Sequence, residues 1–189
     1  MLAAVLRQSF PFDLDNRVVS SCLDNAGTGD ALFAKGWRTG PASLTRRERC
    51  SVAPVTGRVA ESVTEILLDL LDWRALWHFT GPGRHGVDLV FLAPSDLVVA
   101  IEVKGTLVSR RIPRLSRREV AQMSVEWVDK GDNPGMVELG LESVDVYGGV
   151  VAVNFADATW RTALTTDFVK FLPVATRQQL ADPSWLTRS

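Results

Sequence analysis

The stretch Gly86-Val87-Asp88-Leu89-Val90-Phe91-Leu92-Ala93-Pro94-Ser95-Asp96-Leu97-Val98-Val99-Ala100-Ile101-Glu102-Val103-Lys104-Gly105 decides how this chain is read. Two apolar runs, rich in β-branched and aromatic residues, flank the turn-forming triplet Pro94-Ser95-Asp96 and predict an antiparallel hairpin. Val98 to Ile101 is apolar on both faces, which marks the second strand as central, and charges on such a strand are costly unless paired or ion-bound. Side chains alternate along a strand, so Glu102 and Lys104 share a face and Val103 takes the other. If Asp88 stands opposite Glu102, then Leu92 faces Val98, Ala93 faces Leu97, and the loop holds three residues. A loop of two or four residues would turn Asp88 to the wrong face unless a bulge intervened.

Outward from the hairpin, Val59, Val63, Ile66, Leu67, Leu70 and Leu71 follow helical spacing and predict a helix from Val59 to Trp73. Ser116-Arg117-Arg118-Glu119 is a capping-box pattern, so a second helix is expected from about Arg117, with Val120, Met123 and Trp127 on its core side and an end between Gly131 and Gly135. Val150 to Phe155 reads as a buried strand. Phe168 to Leu172 reads as a last strand, with a final helix near Thr176 to Leu180. Residues 1–50 are rich in Gly, Asp, Ser and Arg and read as an N-terminal extension or lid, with a short helix over Ser43 to Arg49. Residues 51–189 form the main domain. Helices and strands mixed around one sheet argue for a layered α/β domain.

The chain has 189 residues, 46% of them hydrophobic and 23% charged, which suits one domain with a real core. Its net charge of −1 gives no global attraction to nucleic acid or anionic membranes, so any such contact needs a local patch. Cys22 and Cys50 are the only cysteines. Two thiols in a reducing cytoplasm are the default, a single disulfide the alternative, and a zinc site is not expected. Met1 to Arg7 is too short an apolar run for a signal peptide, and no stretch approaches the roughly 20 apolar residues of a membrane span.

Carboxylates on neighbouring strands, with a lysine two residues after the second, are what metal-dependent phosphodiester hydrolysis needs. Hard divalent cations take oxygen ligands, and a lysine steadies charge on the attacking or leaving oxygen. The plainer alternative is a set of strand-end charges on a solvated face. Arg110, Arg111, Arg114, Arg117 and Arg118 follow closely after the Glu-x-Lys strand and offer phosphate contacts; the alternative is a solvated loop and helix start. His85, three residues before Asp88, is a further phosphate contact or an incidental polar residue. Trp73, Trp77 and Trp127 read as core packing rather than base-stacking platforms. The Gly81 to Gly86 segment precedes a strand rather than a helix and is not a nucleotide-binding loop.

Residues 57 to 155 resemble the PD-(D/E)XK, or restriction-endonuclease-like, nuclease superfamily. The resemblance rests on Gly57-Arg58-Val59-Ala60-Glu61 at a helix start, Asp88 on one strand, Glu102-Val103-Lys104 on the next, and Gln122 on the following helix. Val87 stands where the family's name places proline. The segment Gln122 to Trp127 also looks like a helix in nuclease domains of bacterial polymorphic toxins. The resemblance implies a central mixed β-sheet flanked by helices in α-β-β-α-β order. It implies Mg²⁺ or Mn²⁺ held by Asp88 and Glu102, with the Val103 carbonyl as a further ligand and Glu61 positioning a water. Lys104 would orient or help deprotonate that water, and Gln122 would contact phosphate or support the site. Glu65, one turn beyond Glu61 on the same helix face, is the alternative helix carboxylate. The implied substrate is nucleic acid, DNA ahead of RNA, with an immunity protein as partner if the chain is a toxin. A module that keeps the fold and binds nucleic acid or protein without catalysis is the competing expectation.

Overall fold

Thr45-Arg46-Arg47-Glu48 is a capping box, and it starts the longest element of the fold. The computed structural model describes residues 8–11, 19, 22–23, 28–69, 72–79, 86–94, 96–111, 123–129 and 133–164. Glu48 Oε2 accepts the Thr45 N–H at 2.6 Å, and Thr45 Oγ1 accepts the Glu48 N–H at 3.2 Å. The Thr45 N–H, the Thr45 hydroxyl and Lys35 hold the Glu48 carboxyl down at about 2. Helix α1 spans Thr28–Thr39, a 3-10 turn spans Pro41–Ser43, and helix α2 then spans Arg46–Asp69.

A short helix over 43–49 and a separate one from Val59 are therefore corrected to one helix of 24 residues, and the expected boundary at residue 50 falls inside it. Pro54 sits within α2 on its exposed side. An interior proline costs about 3 kcal/mol. Val52, buried at 5% exposure, and the capping box offset this, at roughly 1.5–3 and 1 kcal/mol. Val52, Thr56, Val59, Val63 and Leu67 continue one buried stripe through the proline. Phe33 and Leu44, from the segment expected to be a lid, belong to the same core.

The chain leaves α2 through Asp72, whose φ is 60°, and the Trp73 N–H returns to the Leu68 carbonyl at 3.0 Å. Six strands follow or precede: β1 Gln8–Pro11, β2 Arg74–His78, β3 Leu89–Leu92, β4 Val98–Thr106, β5 Tyr147–Asn154 and β6 Thr159–Leu164. Among the described residues they form one sheet in the order β1-β6-β5-β4-β3-β2. β4 and β5 are parallel and the other pairs antiparallel, so the sheet is mixed and β4 is central. The crossover between β4 and β5 carries helix α3, Val125–Val128, and helix α4, Pro134–Leu139.

The hairpin has the register expected of it. Leu89 pairs with Ile101 and Leu92 with Val98, and the Ala93 N–H reaches the Leu97 carbonyl at 2.8 Å. The loop is thus residues 94–96, closed by Asp96 at φ 60°, a conformation that suits the last position of a three-residue hairpin loop. Odd-numbered residues of β4 (Val99, Ile101, Val103) pack with Val59, Val63 and Leu67 of α2. Even-numbered Ala100 packs with Met123, Trp127, Val128 and Met136 on the other face.

The α/β class holds, but the element list needed additions. β1, β2, β6, α1 and α4 were not expected from the sequence. The helix expected from Arg117 to beyond Trp127 is corrected: Met123 has φ 64° and Ser124 caps the separate single turn α3, while residues 112–122, the strand at 168–172 and the helix near 176–180 lie outside the described residues. Trp73 and Trp127 are buried, whereas Trp77 is half-buried on β2, with its Nε1 donating to Glu138 at 2.9 Å. No helix among the described residues is long and apolar enough to cross a membrane.

Gly105 sets how closely α2 approaches β4. A Cβ there would stand 2.5 Å from the Thr56 carbonyl oxygen and 2.9 Å from the Ala60 Cβ. Backbone and a short side chain cannot swing away, so α2 would have to move. Gly105→Ala is expected to lower unfolding stability by about 1–3 kcal/mol in a denaturant titration. A neutral effect would show that α2 is free to shift on the sheet.

Candidate active site

Four charged side chains from three elements meet beyond the start of β3. Helix α2 brings Glu61, next to Ala60 in the tight contact with Gly105. The residue entering β3 is Asp88, and β4 brings Glu102 and Lys104. Asp88 is fixed on both sides: its carbonyl accepts the Phe79 N–H at 2.9 Å, and its N–H donates to the Ile101 carbonyl at 3.0 Å. Its carboxylate Oδ2 accepts the Val103 N–H at 2.7 Å. The N–H and C=O of one strand residue point to the same neighbour. The Val103 carbonyl therefore faces the side on which Asp88 lies, while the Val103 side chain is buried under α2.

Glu102 is 2% exposed, and Lys104 Nζ donates to its Oε1. Burial, then the Asp88 charge, pushes the Glu102 carboxyl up to about 8, against the pull of Lys104. Burial and the Asp88 charge likewise push half-buried Glu61 up to about 7, again opposed by Lys104. Asp88 is raised by burial, with the Val103 N–H and Lys104 working against the rise. The Asp88 charge raises both glutamates and Lys104 lowers all three carboxyl groups, with Arg58 also acting on Glu61, so Glu61, Asp88 and Glu102 occupy one electrostatic neighbourhood.

Glu65, the alternative helix carboxylate, instead lies 3.6 Å from His78 Nδ1 on the edge strand, although its charge still raises Glu61. The helix therefore contributes Glu61 to the cluster. Arg110 and Arg111 lie exposed in the loop after β4. His85, Arg114, Arg117, Arg118 and Gln122 lie outside the described residues.

One supporting residue escaped sequence reading. Asn133 is fully buried; its Oδ1 accepts the Val87 N–H at 3.3 Å and its Nδ2 donates to the Val128 carbonyl at 3.3 Å. It ties the approach to Asp88 to the crossover helices. The usable signal was Asn133-Pro134, a helix start with proline at its first position, which the glycines around it concealed.

Among the described residues, no three carboxylate, imidazole or thiol groups are gathered tightly enough to hold an ion as they stand. The donor chemistry nevertheless suits a hard divalent cation. Its side-chain donors are all oxygen, the atoms such a cation prefers, and burial, then the Asp88 charge, raises the two glutamates.

Raised carboxyl groups bind more protons in the folded chain than in the unfolded one, so stability is highest at low pH and falls as pH rises. The window runs from the ordinary glutamate value of 4.5 to about 8. Without divalent cations, the melting midpoint is expected to fall by several degrees across that window, since each kcal/mol moves it roughly 2–4 °C for a chain of this size. Glu102→Gln should flatten the fall. A wild-type midpoint independent of pH would disprove the shared burial of these acids.

No family model, curated protein or solved structure matches the chain.

Proposed function

We propose that this chain hydrolyses phosphodiester bonds in nucleic acid, DNA ahead of RNA, with Mg²⁺ or Mn²⁺ as cofactor. One observation carries the reading: among the described residues, Glu61, Asp88 and Glu102 lie within electrostatic reach of Lys104, which is bonded to Glu102, and burial with the Asp88 charge pushes two of them to about 7 and 8. A structural ion pair needs one acid for one base. Extra buried acids cost stability, and perturbed acids in one cluster mark functional sites more often than structural ones.

Asp88, Glu102 and Glu61 would hold the cation, with the Val103 carbonyl on the same side. The cation would supply Lewis acidity toward the phosphate and the attacking water. Glu61 would orient that water, whose proton would pass to solvent as its oxygen bonds to phosphorus and the bond to the leaving oxygen breaks. The leaving oxygen takes its proton from solvent. Lys104 stabilises the charge that gathers on the phosphate oxygens. The resemblance to polymorphic-toxin domains extends the proposal to an effector nuclease neutralised by an immunity protein.

The test is incubation with supercoiled DNA, single-stranded DNA and total RNA, with Mg²⁺, Mn²⁺ or EDTA. Metal-dependent cleavage is expected, and Asp88→Asn, Glu102→Gln and Lys104→Ala should each lower its rate by a factor on the order of 10²–10⁴. Binding without cleavage under every condition would instead assign the cluster to a non-catalytic module.

Cation binding competes with protons on the same carboxylates. Mg²⁺ is therefore expected to raise the melting midpoint more at pH 8 than at pH 5, and to do so far less in Glu102→Gln. Equal stabilisation at both pH values would place the ion elsewhere.

A further inference from the structure

Beyond the carboxylate cluster, the ends of the parallel strands β4 and β5 are laced together by an arrangement that core packing does not require. Asn154, at the end of β5 and 6% exposed, donates through Nδ2 to the carbonyls of Val108 and Arg111 at 3.2 Å each and to Asp157 Oδ2 at 2.9 Å. Its Oδ1 accepts the N–H groups of Ala156 and Asp157 at 3.0 and 3.1 Å. Asp157 reaches back across the strand ends. Its Oδ1 accepts the Ser109 hydroxyl and its Oδ2 the Arg110 N–H, both at 2.6 Å.

The segment held this way is the loop that leaves β4, and it is held in an unfavourable shape. Arg110 has φ 60°, a left-handed backbone that a long side chain seldom adopts. The clamp grips the backbone of Val108, Arg110 and Arg111 and the Ser109 hydroxyl, and neither arginine side chain. Both arginine side chains are exposed, and among the described residues neither is held in an ion pair. A strained, many-bonded loop that orders two arginines and leaves their guanidinium groups in water has the form of an anion-binding element.

Its position names the anion. Arg110 follows Lys104 by six residues of the same chain, no more than about 20 Å even fully extended. Duplex DNA carries a negative charge every 1.7 Å or so of its axis, so a strand lying on the cluster continues past this loop. We infer that the Asn154–Asp157 turn is a positioning element that fixes Arg110 and Arg111 as a contact for the phosphate backbone beside the cleaved bond. This inference rests on the proposed nuclease reading.

The experiment measures binding of a labelled short DNA duplex, and of RNA of the same sequence, by fluorescence anisotropy from about 50 to 200 mM KCl in Ca²⁺. The proteins are wild type, Arg110→Ala/Arg111→Ala, Asp157→Ala, and the triple variant. The arginine double variant is expected to bind about tenfold more weakly, with a salt slope smaller by about two, one for each lost phosphate contact. Asp157→Ala is expected to weaken binding several-fold in the wild-type background and to add nothing in the double variant, because it acts only through the arginines. A merely structural role would make the two losses additive and lower the melting midpoint of both Asp157 variants alike. Wild-type binding that no substitution alters in affinity or salt slope overturns the inference and leaves the nuclease reading standing. A wild type that neither binds nor cleaves nucleic acid overturns both.

Discussion

Charge burial beside Lys104 is the constraint on which the rest of this structure depends. Glu102 is almost wholly removed from water, with Asp88 beside it and Glu61 within electrostatic reach. Among the described residues, Lys104 faces all three carboxyl groups, and Arg58 acts only on Glu61. In a low-dielectric setting an uncompensated charge costs several kcal/mol, so the chain surrounds the cluster with contacts rigid enough to prevent it from opening to water. The Asp88 carboxylate is held by the Val103 N–H, the Asp88 backbone by its neighbours on both sides, and the preceding Val87 by the buried Asn133 amide.

The same constraint explains why the two layers are built so differently. On one face, α2 must come close enough to the sheet for Glu61 to join Asp88, and the missing side chain at Gly105 permits that approach. On the other face only short helices are described, but Met123, Trp127 and Met136 supply apolar bulk beside the strand that carries Glu102.

Much of the site was legible because it depends on short-range rules. The hairpin register followed from loop length and side-chain alternation, and the central place of β4 followed from the run Val98 to Ile101, apolar on both faces. Elements set by tertiary context were harder to see. Two separate helices were expected, one over Ser43 to Arg49 and one from Val59, yet the buried stripe from Val52 to Leu67 carries a single helix through Pro54 and Gly57. The capping box at Thr45 to Glu48 was as plain as the one at Ser116 to Glu119, but it lay inside a segment whose composition resembled a loop. Arg74–His78 has an exposed, irregular pattern with a bulge between Ala75 and Trp77, so nothing periodic marked it as a strand; it exists because β3 offers an edge to pair with. Nothing local linked Asn154 and Asp157 to the loop they hold, since their partners from Val108 to Arg111 lie more than forty positions back in the chain.

The parallel pairing of β4 with β5 has a consequence for the order of folding. Every residue of the carboxylate cluster lies between positions 61 and 104, in a segment where α2, β2, β3 and β4 meet through turns and a hairpin. Such near-neighbour contacts close quickly, whereas a parallel pair must wait for its whole crossover to be placed. The cluster is therefore drawn together while β5 is still distant and one face of β4 is still wet. In that interval its acids titrate like ordinary carboxylates and repel one another little. The electrostatic penalty falls due only when the crossover docks, so the last step of folding is the one that opposes itself.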